Sequence, residues 1–95
     1  MIAVVDAKAG HAPELGAAVK ELAAAVRREP GCLTFVPYQD LGTGGRFYLY
    51  EIYQDVDAFK DHLQTAHVRK FFEALAQHST TTAQNLTQLA ELGVP

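Results

Sequence analysis

The stretch that decides the fold is residues 47–72, FYLYEIYQDVDAFKDHLQTAHVRKFF. Its first seven residues, 47–53, are almost all aromatic or branched, which is typical of a β-strand. Asp55 then offers a helix N-cap, and apolar residues follow at helical spacing. These apolar positions are Phe59, Leu63, Ala66, Phe71 and Leu75. The stretch therefore predicts a strand that leads directly into a helical segment.

One carboxylate, Glu51, lies inside this apolar strand, and two histidines, His62 and His67, lie on the helical segment that follows. A buried carboxylate is unfavourable unless a partner pairs with it, and the helix supplies imidazoles that could do so. The pair Glu51–His62 has two interpretations. In the first, the carboxylate orients the ring of a catalytic base. In the second, the pair is a structural contact that fixes the helix on the sheet.

The composition excludes several classes of function. The 95 residues suit one domain, which we expect to span residues 1–95. The net charge of −3, without a basic cluster, argues against a nucleic-acid partner. Cys32 is the only cysteine, so neither an internal disulfide nor a cysteine metal cluster can form. No apolar run is long enough to span a membrane and no signal peptide is recognisable, so we expect a cytoplasmic protein.

The rest of the chain divides into elements at its glycine and proline residues. Residues 1–7 predict a first strand, and apolar residues at helical spacing then predict a helix that ends at residues 29–31. Residues 32–40 predict a second strand, which Pro37 restricts to a sheet edge or a bulge. The glycine-rich residues 41–45 predict a hairpin turn into the third strand.

The C-terminal part of the chain is less clear. The helical segment is expected to divide before Thr65, which would cap its second half. Residues 80–92, TTTAQNLTQLAEL, are ambiguous, because the threonines favour a strand whereas Leu86 and Leu89 fit a helix. We predict a last strand, since the third strand would otherwise lack a partner on one side.

The resulting order β-α-β-β-α-β predicts an α+β fold of the ferredoxin-like split β-α-β type, with helices on one face of an antiparallel sheet. The two-residue period of the third strand puts two sets of residues on opposite faces, namely Phe47, Leu49, Glu51 and Tyr53, and Tyr48, Tyr50 and Ile52. Only one face can meet the helices, and an apolar face that is left bare usually marks an interface. We therefore expect a homodimer joined through the open face of the sheet.

Several of these residues together resemble the antibiotic biosynthesis monooxygenase domain, a family that includes small quinol monooxygenases. The matching segments are EPGC at residues 29–32, YEIY at 50–53, DAF at 57–59 and HLQTAH at 62–67. The family's commonest motif is an acid, an aromatic residue two positions on, a histidine, a small polar residue and a second histidine. It corresponds here to Glu51, Tyr53, His62, Thr65 and His67. The resemblance covers essentially the whole chain and implies a dimeric α/β barrel.

The resemblance alone leaves the reaction open. Similar domains include cofactor-free oxygenases, haem-degrading oxygenases, an isomerase-like processor of a signalling molecule, and members with no known activity. The haem-degrading branch uses a tryptophan near the start of this helix and an early asparagine. This chain has no tryptophan, and His62 and Asp6 stand at roughly those places. The resemblance therefore argues against haem degradation.

His67 stands five residues after His62, so on a continuous helix the two rings would lie about 140° apart. That spacing does not suit a shared metal ion, and no third ligand is evident beside them, so we expect no metal and no cofactor. A break at Thr65 would loosen this estimate. His67 is interpreted either as a cap or rim residue of a cleft or as a second catalytic residue.

Four aromatic residues are candidates for lining a substrate pocket, with a hydroxyl group available to hold the substrate's oxygen. They are Tyr53, Tyr38, Tyr50 and Phe59. The alternative is that the tyrosines are ordinary strand aromatics that pack in a dimer interface, and that Phe59 is a core residue, as its helical spacing suggests.

Two functions of different classes fit these observations. The first is a cofactor-independent monooxygenase that oxidises a phenolic or quinol small molecule with O2, with His62, supported by Glu51, as the base. The second is a non-catalytic dimeric module of the same fold that binds a small ligand or another protein. A closed apolar cavity beside His62 favours the enzyme, whereas a filled one favours the module.

Overall fold

The computed structural model describes residues 1–93, which form a four-stranded antiparallel sheet with helices packed on one of its faces. In chain order the elements are β1 (Ile2–Asp6), α1 (Ala12–Val26), β2 (Cys32–Gln39), β3 (Arg46–Tyr53), α2 (Val56–Leu63), α3 (Ala66–His78) and β4 (Thr87–Leu89). The strands lie in the order β2-β3-β1-β4 across the sheet. The predicted α+β, ferredoxin-like fold is therefore confirmed.

The helical segment divides where the sequence predicts, because two side chains cap its two halves. Asp55 accepts a hydrogen bond from the backbone N–H of Ala58 at 2.8 Å and begins α2. Thr65 accepts one from the backbone N–H of Val68 at 3.3 Å and begins α3. The Thr65 hydroxyl also donates to the carbonyl oxygen of His62 at 2.8 Å, which fixes the turn between the helices. Across residues 1–93, no helix is long and apolar enough to cross a membrane.

The last strand differs from its prediction in length and in partner. Only Thr87–Leu89 of the segment 80–92 is a strand, and it pairs with β1 rather than with β3. We predicted this strand as a missing partner for β3, and that reason was wrong, because β3 already pairs with β2 on one edge and with β1 on the other. Ahead of β4, the backbone N–H and carbonyl groups of Asp6 form hydrogen bonds outside the regular pairing of the strands. Its N–H donates to the hydroxyl of Thr81 at 2.9 Å, and its carbonyl accepts from the N–H of Thr80 at 3.0 Å.

The two faces of the sheet have different surroundings. The helix side carries a continuous buried core, whose largest fully buried members are Phe35, Leu15, Leu75, Val5, Val19 and Val26. The opposite side, called the open face below, carries Tyr48, Tyr50 and the apolar residues that share their face by strand period and register, namely Ile2, Val4, Val36, Tyr38, Ile52 and Leu89. Since β2 is an edge strand, Pro37 removes no hydrogen bond that a central strand would need.

Candidate active site

The candidate site lies in the layer between β3 and helix α2. The two-residue period of β3 turns Glu51 and Tyr53 toward the helices, and the cap at Asp55 starts α2 so that its last turn lies over them. Glu51 and His62 are both buried there. The local structure therefore brings a carboxylate and an imidazole into one apolar layer, as the sequence pattern indicated.

The carboxylate that binds His62 directly is Glu29, in the turn after α1. Its Oε2 atom lies 2.9 Å from His62 Nδ1 and 2.5 Å from His67 Nε2. Its side chain is only 11% exposed. Glu29 therefore joins the two histidines into one cluster, although we assigned it no role from the sequence beyond the end of a helix and part of the family pattern.

Glu29 also determines which nitrogen of each ring carries the hydrogen. An ionised carboxylate only accepts hydrogen bonds, so His62 Nδ1 and His67 Nε2 must be the donors. A neutral His62 ring then keeps its lone pair on Nε2. That atom lies 3.9 Å from Glu51 Oε1, which is too long for a hydrogen bond. Glu51 and His62 are thus neighbours without a direct bond.

Glu51 has a hydrogen-bond donor of its own in Tyr53. The Tyr53 hydroxyl donates to Glu51 Oε1 at 2.6 Å. Burial raises the pKa of Glu51, and this effect exceeds the opposing effects of the Tyr53 hydrogen bond and of the nearby His62. Burial, followed by the bond to Glu51, also raises the pKa of Tyr53 above its usual range. Glu51 therefore takes up a proton, and becomes a neutral carboxyl group, more readily than a solvent-exposed glutamate does.

An apolar cavity of about 60 Å³ adjoins this layer, and Glu51, Phe59 and His62 form part of its wall. Leu63, also in the wall, is 41% exposed, so the cavity reaches toward the surface on that side. An engineered apolar cavity of about 150 Å³ is known to hold benzene. An aromatic substrate would therefore require this cavity to widen.

The structure brings some of the predicted aromatic residues to the site and not others. The ring of Tyr53 has its centroid 4.9 Å from that of His62, and the ring of Phe59 is stacked on His62 at 5.9 Å. Tyr38 and Tyr50 lie on the open face, 56% and 38% exposed. Tyr38 and Tyr50 therefore do not line the cavity beside His62 within one chain, because the strand period directs them to the opposite side of the sheet.

Among residues 1–93, Glu29, His62 and His67 form a cluster that could hold a metal ion. Each residue offers one ligand atom, and these atoms all lie within 4.8 Å of one another. The ring centroids of the two histidines are 6.4 Å apart. The wide angular separation expected for a continuous helix does not apply, because the turn at Thr65 interrupts the helix between them.

Comparison with known proteins gives the class of protein. The sequence profile described as antibiotic biosynthesis monooxygenase matches residues 1–74. This chain therefore belongs to the antibiotic biosynthesis monooxygenase family, as its motifs indicated. A search of curated proteins finds no match.

Solved structures with the same fold include three from different bacteria. A Pseudomonas aeruginosa protein is 30% identical, with a TM-score of 0.84 over 97% of this chain and 91% of its own. A candidate antibiotic biosynthesis monooxygenase from Deinococcus radiodurans is 27% identical, with a TM-score of 0.82 over 99% and 93%. Another candidate, from Nitrosomonas europaea, is 25% identical, with a TM-score of 0.79 over 84% of both chains.

Proposed function

We propose that this protein is a cofactor-independent monooxygenase that oxidises a phenolic or quinol small molecule with O2, and that His62 is its base. Family membership supports a monooxygenase-like role. The observation that carries the finer proposal is the hydrogen bonding of His62. Glu29 holds the hydrogen of Nδ1, so the lone pair of Nε2 remains free beside Glu51 and the apolar cavity.

The gap between His62 and Glu51 suits a substrate hydroxyl group. Because His62 Nε2 and Glu51 Oε1 are 3.9 Å apart, a hydroxyl oxygen to one side of the line that joins them can lie about 2.8 Å from both. In that position the hydroxyl donates its proton to Nε2 and becomes a phenolate. Because burial favours the neutral carboxyl form of Glu51, that group repels the developing negative charge less than a carboxylate would.

The substrate itself can supply the electrons for this reaction. A quinol gives up all the electrons that reduce O2, while one oxygen atom enters the substrate and the other leaves as water. Deprotonation is the step that requires the protein, because a phenolate transfers an electron to O2 more readily than a phenol does. Glu29 acts through His62 in this scheme and is a positioning residue.

The test is the substitution His62→Gln, which keeps hydrogen-bonding capacity without a useful base. The rate should fall about 10²–10⁴-fold, the usual effect of losing a general base. The assay is oxygen uptake with a panel of hydroquinones and anthrone-like phenols in metal-free and flavin-free buffer, with ¹⁸O2 to identify the product. His78→Gln, away from the site, is the control. If His62→Gln oxidises a quinol as fast as the unsubstituted protein, then His62 is structural and the base lies elsewhere.

The second candidate function, a non-catalytic binding module, has one observation in its favour. The cavity of about 60 Å³ is too small for an aromatic ring without rearrangement. If no phenol in the panel is oxidised above the protein-free rate, that result favours a non-catalytic binding module over an enzyme. NMR shift changes at His62 on addition of the same phenols would then distinguish ligand binding from the absence of any ligand.

We further propose that two copies associate through the open face. Large apolar side chains are exposed there, and Tyr38, Tyr50, Ile52 and Leu89 are the most exposed of them. An exposed apolar patch of this kind marks an interface more often than a free surface. A two-fold dimer would cover the same patch on both copies.

A further inference from the structure

We infer that Glu29, His62 and His67 form a binding site for a divalent first-row transition metal ion, with Zn²⁺ and Co²⁺ as suitable probes. Their ligand atoms all lie within 4.8 Å of one another. Two imidazoles and one carboxylate also form the ligand set of zinc sites that keep a fourth position open for water. The sequence-based expectation of no metal rested on diverging rings and a missing third ligand, and neither premise holds in the folded chain.

The ligand atoms of the cluster must shift before they can hold a metal ion. Bonds of about 2.1 Å in a tetrahedral site separate neighbouring ligand atoms by about 3.4 Å. Glu29 Oε2 now lies 2.9 Å from His62 Nδ1 and 2.5 Å from His67 Nε2, because hydrogens bridge these atoms. A metal ion replaces those hydrogens, so the carboxylate must move outward by less than about 1 Å, and the two imidazole nitrogens, which lie within 4.8 Å of each other, must reach the same spacing. Glu29 lies in a turn rather than in a helix, which makes such a movement feasible.

The charge balance of the cluster favours a cation. Within residues 1–93, the ion pairs of Glu29 involve only histidines, and its carboxylate pairs with no lysine or arginine. Its side chain is largely removed from water. The neutral imidazoles of His62 and His67 donate to this carboxylate without offsetting its negative charge, whereas a divalent ion would offset it.

The surroundings of His62 also match those of a metal ligand. A histidine that binds metal through one nitrogen almost always donates the hydrogen of its other nitrogen to a carboxylate, a carbonyl or a water molecule. When a metal occupies Nδ1 of His62, the hydrogen moves to Nε2. Glu51 Oε1 lies 3.9 Å from Nε2, so the two atoms must approach by about 1 Å for Nε2 to donate to this carboxylate. Tyr53 already orients that carboxylate through its hydroxyl group.

The ion has a route to the cluster from solvent. His67 is 27% exposed and lines a surface groove of about 220 Å³ between α1 and α3. His62 and Glu29 lie behind it, with much less exposure. The metal would therefore meet His67 first and then the two buried ligands.

Metal binding would oppose the proposed catalysis. A metal on Nδ1 puts the hydrogen on Nε2, so His62 loses the lone pair that would accept the substrate proton. This consequence rests on the proposed function, but the binding itself does not. Binding can therefore be measured without any substrate.

The experiment is calorimetric titration of tag-free, chelator-treated protein with Zn²⁺, together with the visible absorption of the Co²⁺ complex. We expect one ion per chain. Glu29→Gln and His67→Gln should each weaken binding by at least about 10-fold, and Glu51→Gln by about 10–100-fold, as for other residues that orient a ligand. The control is the double variant His11→Gln/His78→Gln, which removes the other close pair of histidines, 3.1 Å apart. Its affinity should be unchanged.

Two results would overturn the inference. The first is the absence of saturable binding to the unsubstituted protein at submillimolar Zn²⁺. The second is binding that persists in Glu29→Gln and His67→Gln but disappears in the control, which would assign it to His11 and His78. Circular dichroism checks that each variant is folded. His67→Gln keeps the test valid if Glu29→Gln fails to fold, because His67 is the most exposed of the three ligands.

Discussion

Replacement of Glu29 by glutamine should change the state of His62 without changing the shape of the cluster. The carboxylate accepts hydrogen bonds from His62 Nδ1 and from His67 Nε2. An amide of the same size has one accepting oxygen and one donating nitrogen. If its oxygen takes the place of Oε2 and accepts from His67, its nitrogen takes the place of Oε1, which lies 3.1 Å from His62 Nδ1. That nitrogen only donates, so we expect the hydrogen of His62 to move from Nδ1 to Nε2.

The size of the effect follows from the burial of Glu29, which is 11% exposed, so that water screens its interactions little. A hydrogen bond to a charged group contributes about 1.5–3 kcal/mol and a neutral one about 0.5–1.5 kcal/mol. Exchanging two of the first kind for two of the second should lower the free energy of unfolding by about 1–3 kcal/mol. For a domain of this length, that corresponds to a decrease of roughly 5–20 °C in the melting temperature.

Two measurements check this prediction. Long-range ¹H–¹⁵N correlation spectra of the imidazoles report which nitrogen carries the hydrogen, and they should show His62 protonated on Nδ1 in the unsubstituted protein and on Nε2 in Glu29→Gln. Urea unfolding gives the loss of stability. Glu73→Gln, an exposed change on α3, serves as the matched control. A His62 ring that remains protonated on Nδ1 in Glu29→Gln, with unchanged stability, would refute the assignment of Glu29 as its orienting group.

Two further predictions concern the open face and the buried acid. Tyr50→Lys places a charge in the exposed apolar patch of the open face, so it should shift the light-scattering mass toward that of a monomer. Gln54→Lys, outside the patch, should leave the mass unchanged. A monomeric unsubstituted protein at micromolar concentration would reject the dimer. Glu51→Gln should be stabilising, and increasingly so above pH 4.5, because the folded-state pKa of Glu51 is raised from 4.5 by burial. The folded protein then holds a proton that the unfolded chain releases, so its stability falls as pH rises through the folded-state pKa. Urea unfolding of both proteins at several pH values measures this, and a difference that shrinks with rising pH would contradict it.

The local part of the structure was predictable because its causes are close together in sequence. The strand period separates Glu51 from Tyr50, and the caps at Asp55 and Thr65 follow from side chains within three residues of the groups they bind. These interactions depend on neighbouring residues, so a single sequence is enough to place them. The same information predicted that His62 lies on the helix above Glu51.

The contacts of Glu29 were not predictable in this way. It binds partners that follow it by 33 and 38 residues, and nothing local distinguishes it from any acid at the end of a helix. The only available signal was its place in the EPGC segment shared with the family. The pairing of β4 with β1 was missed for a related reason, because sequence order does not reveal which strand edge the crossover helix leaves free.

Glu29 links the two proposals, because each requires a different occupant of His62 Nδ1. With a hydrogen at Nδ1, the carboxylate holds the ring as a neutral donor, and Nε2 can accept a proton from a hydroxyl group beside Glu51. With a metal ion there, Nε2 carries the hydrogen and can no longer accept a proton from a substrate. Metal binding requires the ligands in their deprotonated forms, so a lower pH favours the hydrogen-bonded cluster over the metal-bound one. The occupant of His62 Nδ1, a hydrogen or a metal ion, therefore determines which of the two proposed roles the cluster can perform.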